Sequence, residues 1–332
     1  MSAPQSPPLD SFQIAWLVTL PIELAAALAM LDENFGTLVT TQYGDTNRYF
    51  SGRVGKHYVV IVLIRSSGTT SASFAVANLI RTFPRSLKVG ILIGVGGAIP
   101  NNPEVDIRLG DVVVSFPGNK APAVVQYDFG KALGEGQYQR TASMNNPPSF
   151  LLAAVNVIRT LGLIEDLGFM KYVEEGTERS KQSRKSFARP HVGSDRLFQF
   201  HHTHRPDRED CKDCPAEWEV TRAEREDDDP HIHYGTILSG NTVMKDGRRR
   251  EELRKETGAL CFEMEAAGLM LDFPCLVVRG ISDYSDTHKN KEWQGYAALV
   301  AASYAKELLD HVLIEEVSNR PLAGDVCRTS TA

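Results

Sequence analysis

The sequence predicts an α/β protein built on a central, largely parallel sheet covered on both faces. Three observations carry that expectation. Several runs are apolar without alternation, among them His57-Tyr-Val-Val-Ile-Val-Leu-Ile64, Val89 to Ile93 and Pro274 to Ile281, and strands of this kind are buried on both faces. Segments with helical spacing of apolar residues stand between these runs. At 332 residues of ordinary composition, the chain is also long enough to bury a large core as one large domain or two small ones.

Taken in order, residues 1–11 are rich in Pro and Ser and read as a flexible lead-in. Gln13 to Thr19 reads as a buried strand, Leu20-Pro21 as a turn, and Ile22 to Leu31 as a helix. The stretch Ile14 to Leu31 approaches the roughly 20 residues of a membrane span. Pro21 and Glu23 interrupt its centre, however, and an intramembrane glutamate is costly. Met1 to Ser11 has no Lys or Arg, which makes a poor signal peptide.

After the strand at 57–64, Ser66-Ser-Gly-Thr-Thr-Ser71 forms a small-residue loop that opens a helix from Ser73 to Thr82. The strand Val89 to Ile93 runs into Gly94-Val-Gly-Gly-Ala-Ile-Pro100. Leu109 to Ser115 reads as another strand. Pro147 to Leu163 reads as a helix with Leu151, Leu152, Val155, Ile158 and Leu161 at helical spacing. Residues 171–230 are dense in charge and poor in aliphatics, and are expected to be a partly disordered surface insertion within one domain. His233 to Leu238 resumes the sheet. Glu292 to Val317 reads as the last helix, and residues 319–332 as a flexible tail.

A formal charge of −6 and a pI near 5.9 give no electrostatic reason to bind nucleic acid or an anionic membrane. Five unevenly spread cysteines form no disulfide framework, so a reducing, cytoplasmic compartment is expected.

The candidate chemistry gathers near the C-terminal third. Cys261-Phe-Glu-Met-Glu-Ala-Ala-Gly268 reads as the opening of a helix whose Glu263 and Glu265, two apart, point to different faces. Asp283 follows an apolar strand directly, and open α/β sheets bind ligands beyond the C-terminal ends of their strands. These residues alone fit equally a site or a capped helix beside a satisfied loop aspartate.

Gly94-Val-Gly-Gly97 does not match G-x-G-x-x-G, and reads either as a tight turn or as a close approach of backbone to a ligand. The loop 66–71 lacks a Walker lysine, so phosphate cradling and simple helix capping both remain open. Cys211-Lys-Asp-Cys214 with His201, His202, His204, His231 and His233 meets a zinc spacing loosely. With a single Cys pair and no paired H-x₃₋₅-H, a solvated loop without metal is the expectation. Motifs of covalent hydrolases and of H-E-x-x-H metalloproteases do not occur.

Phe262-Glu-Met-Glu-Ala-Ala-Gly268 and Val278-Arg-Gly-Ile-Ser-Asp283, with Gly94-Val-Gly-Gly-Ala98 and Leu109-Gly-Asp-Val-Val-Val-Ser115 upstream, together resemble the nucleoside phosphorylase-I superfamily. The pattern is similar to the methylthioadenosine/adenosylhomocysteine nucleosidases and to fungal phosphorylase-like domains, often found at the front of NLR-type receptors. The resemblance runs from about Phe12 to Asp310. It implies a single domain over 12–318, a three-layer αβα sandwich around a mixed, twisted sheet, no cofactor, and a homo-oligomer of dimeric or trimeric type.

The resemblance also implies roles. Asp283 would protonate or hydrogen-bond purine N7, with Ser282 orienting it, and its carboxyl pKa would have to be raised in a desolvated crevice. Glu265 would bind the ribose hydroxyls, with Met264 packed on the sugar. Glu23 falls where the nucleosidases carry the glutamate that activates water. Val95, Gly96, Gly97, Val243 and Met244 would bound the substrate, with Val95 where a serine is usual and Val243 where an aromatic residue faces the purine. Leu92 stands where phosphorylases place a phosphate-binding arginine, which favours water as nucleophile. Arg65 and Thr69 are the candidates for a phosphate or 5′-group. The implied activity is hydrolysis of a purine nucleoside, the alternatives being phosphorolysis, nucleotide cleavage, or a purine-sensing effector module.

Overall fold

The computed structural model describes residues 6–39, 42–118, 121–134, 138–140, 144–205, 208 and 211–329. The apolar runs become the middle of one mixed sheet. Its main path runs β10 (Ile232–Gly235), β6 (Val112–Ser115), β13 (Cys275–Asp283), β5 (Val89–Ala98), β1 (Ile14–Val18), β4 (His57–Leu63), β3 (Arg48–Val54) and β2 (Glu33–Leu38). The four central strands β13, β5, β1 and β4 are parallel neighbours, whereas β6 is antiparallel to β13 and β3 to β4. All residues of β1 and β13 are buried, as unalternating apolar strands require.

The ten residues of β5 are long enough to serve two neighbourhoods. The first part pairs with β1, while Gly97 and Ala98 pair antiparallel with β12 (Cys261–Glu263). β12 continues through β11 (Ile237–Ser239) to β7 (Val124–Gln126), and a separate ribbon joins β8 (Gly130–Ala132) to β9 (Tyr138–Arg140). The glycine-rich stretch after Ile93, read as a tight turn or a close approach of backbone to a ligand, is therefore strand.

Helices complete the three-layer αβα sandwich. α7 (Gln294–Asp310) lies on β13 and β5, flanked by α1 (Pro21–Ala29), α3 (Ser149–Leu161), α4 (Phe169–Glu178) and α5 (Lys181–Phe187). Gly280 lets α7 come this close, since a Cβ there would sit 1.9 Å from the Ala297 carbonyl oxygen. α2 (Thr69–Thr82) packs against a short turn at Ala266–Gly268, α6 spans Gly247–Thr257, and α8 spans Ile314–Ser318.

Three local expectations change. The segment after Cys261 is a short strand and a single 3₁₀ turn, so Glu263 and Glu265 do not ride on an α-helix. Residues 171–230 are more ordered than their charge suggests. α4 and α5 bury Phe169, Val173 and Phe187, and Arg225 donates through Nη1 and Nη2 to Asp111 at 2.8 and 2.7 Å. The stretch after Asn319 contains α9 (Ala323–Thr329), whose Ala323 is fully buried and donates its N–H to the Leu87 carbonyl. Of the lead-in, residues 1–5 lie outside the described residues, and Leu9–Ser11 form one 3₁₀ turn. Among the described residues, no helix is long and apolar enough to cross a membrane.

Candidate active site

The C-terminal ends of β1, β4, β5 and β13 open on one edge of the sheet, and a cleft lies there, as expected for an open parallel sheet. Glu23, Val95, Gly96, Gly97, Val243, Met244, Met264, Glu265 and Ser282 line it. Asp283 is buried at its edge, behind Ser282, Ser285 and Lys289 on the wall. Arg65 is exposed and is not part of the wall. Thr69 is not part of it either, because its N–H and hydroxyl both donate to Asn241 Oδ1, at 3.0 and 3.1 Å. Ser67, from the same loop, lines the cleft instead.

Glu23 sits in the first turn of α1, where Pro21 starts the helix and a carboxylate can reach back to backbone N–H groups. Its Oε2 accepts from Thr19 N and Leu20 N at 2.8 Å each, and Oε1 accepts from Val95 N at 2.8 Å. It is thus buried and fixed between β1 and β5, not an exposed first-turn acid.

Glu263 and Glu265 share a partner that sequence reasoning did not single out. Arg279, at the middle of β13, donates through Nη2 to Glu263 Oε2 at 2.5 Å and to Glu265 Oε2 at 3.1 Å. Burial alone would depress the Arg279 guanidinium, but the carboxylates of Glu263, Glu265 and Glu23 outweigh it and hold the group above its ordinary value. Glu263 also accepts from Glu265 N at 2.9 Å and from Ala266 N, which shapes the turn after β12.

Glu265 receives less. Among the described residues, Gly68 N, at the start of α2, is its one donor besides Arg279, at 3.3 Å. Burial, opposed by Arg279 and reinforced by the carboxylates of Glu263 and Glu23, pushes its carboxyl up to about 7.

Asp283 closes β13 at a bulge between Ile281 and Asp283. It is buried, and donors surround it. Oδ2 accepts from Ser282 Oγ at 3.0 Å and from Lys289 Nζ at 2.7 Å, and Oδ1 from Ser285 N at 3.0 Å.

The glycines of β5 make this crowding possible. A Cβ on Gly94 would lie 2.4 Å from both Glu23 Oε1 and Arg279 Nη1, and one on Gly97 would lie 2.6 Å from Asp283 Oδ1. At these two positions close approach is needed by the protein's own carboxylates. Leu92, two residues earlier, is fully buried.

Arg279, Lys289 and Phe262 line the cleft and were not anticipated. An arginine inside an otherwise apolar strand was a usable signal, because a buried charge must be paired. Phe262, edge-to-face with Tyr127 at 5.4 Å, supplies an aromatic surface that position 243 does not. Nothing in the local pattern marked Lys289.

Residues 183–314 match the family model of the phosphorylase superfamily. An NLR-like protein of Hyaloscypha variabilis is 41% identical over 304 residues, which are 90% of this chain and 29% of that protein. A 5′-methylthioadenosine/S-adenosylhomocysteine nucleosidase of Mycobacterium tuberculosis is 35% identical over 85 residues, 24% of this chain and 33% of that one. An ATP nucleosidase, Cap17, of Escherichia coli is 33% identical over 86 residues, 24% of this chain and 17% of that one. The chain therefore matches at most a third of the length of these relatives. A solved 5′-methylthioadenosine/S-adenosylhomocysteine nucleosidase of Helicobacter pylori shares the fold, with a TM-score of 0.58 at 16% identity, covering 90% of this chain and 98% of that one.

Proposed function

We propose that the chain, whose residues 183–314 match the phosphorylase-superfamily model, is a purine nucleoside N-ribohydrolase that uses water to release free base and ribose. The observation that carries the choice of water is the state of the cleft's cations. Among the described residues that line it, the cations are Arg279 and Lys289, and both are already paired, to Glu263 with Glu265 and to Asp283. A phosphate dianion would have to displace one of these pairs and share the cleft with several carboxylates. Water faces no such cost.

In this reading Glu23 orients a water on its remaining lone pair and takes the proton as oxygen bonds to C1′. The C1′–N9 bond breaks and its electron pair goes to the base. N7 gains a proton through Asp283, which is resupplied by the Lys289 ammonium on its Oδ2. Solvent then returns Glu23 and Lys289 to their starting states. Glu265 accepts the ribose hydroxyls, and its negative charge opposes the positive charge growing on the sugar, so its benefit is larger in the transition state. Met264 packs on the sugar, and Phe262 with Val243 and Met244 bounds the base.

The test is base and ribose release from adenosine, inosine and guanosine in phosphate-free buffer. Turnover that appears only with phosphate, giving ribose 1-phosphate, would replace hydrolysis by phosphorolysis. Asp283→Ala and Glu23→Gln should each remove most turnover.

A second reading is favoured by the similarity to the NLR-like protein over 90% of this chain. There the domain would serve as an effector or sensor module, with a nucleotide as the substrate or bound ligand. Faster cleavage of AMP or ATP than of adenosine, or tight purine binding without cleavage over hours, would support it.

A further inference from the structure

The charged tract beyond α5 brings a set of soft ligands together. The ligand atoms of His204, Cys211 and Cys214 all lie within 4.8 Å of one another. Around a tetrahedral zinc ion, sulfur and nitrogen ligands stand roughly 3.3–3.8 Å apart, given Zn–S near 2.3 Å and Zn–N near 2.0 Å. Small side-chain rotations cover that difference. Both cysteines are free thiols.

A fourth group, outside that 4.8 Å set but packed against it, comes from a different part of the chain. His288, five residues past the end of β13, is 8% exposed, and among the described residues neither ring nitrogen has a hydrogen-bond partner. Its Nδ1 is 3.5 Å from Asp286 Oδ1 but lacks hydrogen-bond geometry. A buried imidazole left without partners is costly unless something else satisfies it. The ring stacks on Phe198 at 4.1 Å and meets the His204 ring edge-on at 5.5 Å. Cys211 Sγ lies 3.6 Å from the His288 carbonyl oxygen.

The surroundings are built to hold the cysteine knuckle. Cys214 N donates to the Cys211 carbonyl at 3.1 Å, closing a tight turn. Arg196 donates to the carbonyls of both Cys211 and Cys214, and its guanidinium lies over the Phe198 ring at 4.9 Å. His204 N donates to Thr287 Oγ1 at 2.8 Å, next to His288. Such hydrogen bonds to the elements around the ligands are what fix a metal site's geometry.

We propose that His204, Cys211, Cys214 and His288 form a structural Zn²⁺ site that fastens the charged tract to the loop after β13. Two thiolates and two neutral imidazoles suit zinc, and four protein ligands leave no open position for catalysis. The site joins segments about 75 residues apart in sequence, so the closed loop is long and its closure contributes to stability in the metal-bound chain. It also fixes the loop that carries Lys289, whose Nζ reaches Asp283.

The experiment uses the full chain, freed of any histidine tag, purified under reducing conditions from zinc-supplemented cells. Elemental analysis should find one zinc per chain. A mercurial thiol reagent added to the unmodified protein should release that zinc to a chromogenic chelator. Replacement by Co²⁺ should give a thiolate-to-metal charge-transfer band and the visible bands of a tetrahedral site. The double substitution Cys211→Ser with Cys214→Ser should abolish zinc and cobalt signals, and His288→Gln should weaken retention and change the cobalt bands. His191→Gln, at an exposed histidine outside the cluster, should change neither. A zinc-free chain, a Cys211–Cys214 disulfide in the freshly purified protein, or zinc retained after both cysteines are replaced would each overturn the proposal. Unchanged zinc retention and cobalt bands in His288→Gln would remove His288 from the ligand set.

Discussion

Arg279→Met gives the sharpest test of how the cleft is held together. Arg279 is buried in β13 and bridges Glu263 at 2.5 Å and Glu265 at 3.1 Å. Methionine keeps much of the volume and removes the charge, leaving two carboxylates buried within reach of each other. Removing one partner of a buried ion pair costs about 3–5 kcal/mol, a large part of the roughly 5–15 kcal/mol that holds a typical domain folded. Protonation of Glu265, which burial already favours, can relieve part of this cost, so the loss should be smaller at pH 6 than at pH 8. Urea unfolding at both pH values measures it, with an unchanged slope expected if the change acts on the native state. Adding Glu263→Gln to Arg279→Met should recover a good part of the stability, because one of the two stranded charges is gone. Stability within about 1 kcal/mol of the parent, at the level of a single ordinary hydrogen bond, would refute the view that Arg279 neutralises this carboxylate pair.

Other outcomes follow from the same geometry. Glu265 is an acid raised to about 7 by burial, so as a ribose ligand it should tighten nucleoside binding as pH rises through 7. KM should fall over that interval, and Glu265→Gln should flatten the profile. The stability sign runs the other way: the native state holds the Glu265 proton more tightly than the unfolded chain, so this group lowers stability as pH rises from about 4.5 to about 7. Asp111 behaves oppositely. Burial is outweighed by Arg225 and His233, which bring its carboxyl down to about 2, so its stabilisation, on the order of 2 kcal/mol, is present above about pH 4 and lost as pH falls through 2; Asp111→Asn should remove that acid-limb dependence in a denaturation series. Lys289→Met should lower kcat by roughly 10²-fold, the scale of general acid–base assistance, with little change in KM. An unchanged kcat would take Lys289 out of the proton route. Gly94→Ala should cost most of the activity, because its Cβ would fall 2.4 Å from Glu23 Oε1, and a fully active variant would show that the Glu23 position is not critical.

The apolar strands were legible because continuous Val, Ile and Leu runs are buried on both faces of a sheet covered by helices, and β1, β4, β5 and β13 all stand where those runs lie. The segment after Cys261 was misjudged for a local reason. Phe262 to Gly268 carries good helix formers, but Glu263 turns back to accept the N–H groups of Glu265 and Ala266, and this stops the strand without starting a helix. The glycine-rich stretch misled in a similar way, since Gly94 and Gly97 belong to a strand that other side chains cross. Charge density at 171–230 concealed a smaller set of apolar anchors, Val173, Phe187, Leu197 and Phe198, that suffices to dock the tract. Lys289 and His288 were invisible because their partners are distant in sequence or lie at a strand bulge, and no periodicity reports such contacts.

Four carboxylates occupy one crevice, and their donors distinguish them. Glu263 meets an arginine at 2.5 Å and two backbone N–H groups, leaving it little capacity for a ligand. Glu23 holds three backbone bonds at 2.8 Å, with two on one oxygen and one on the other. A carboxylate offers about four lone-pair sites, so Oε1 keeps one, suited to a single water in a fixed place. Among the described residues Glu265 has two donors, at 3.1 and 3.3 Å, and its charge is poorly stabilised until something else donates. In the proposed reaction a pair of ribose hydroxyls would supply that deficit, and the positive charge growing on the sugar would supply more. Asp283 accepts from the Lys289 ammonium on one oxygen, and in the proposed reaction it is the carboxylate through which a proton would pass to the leaving base.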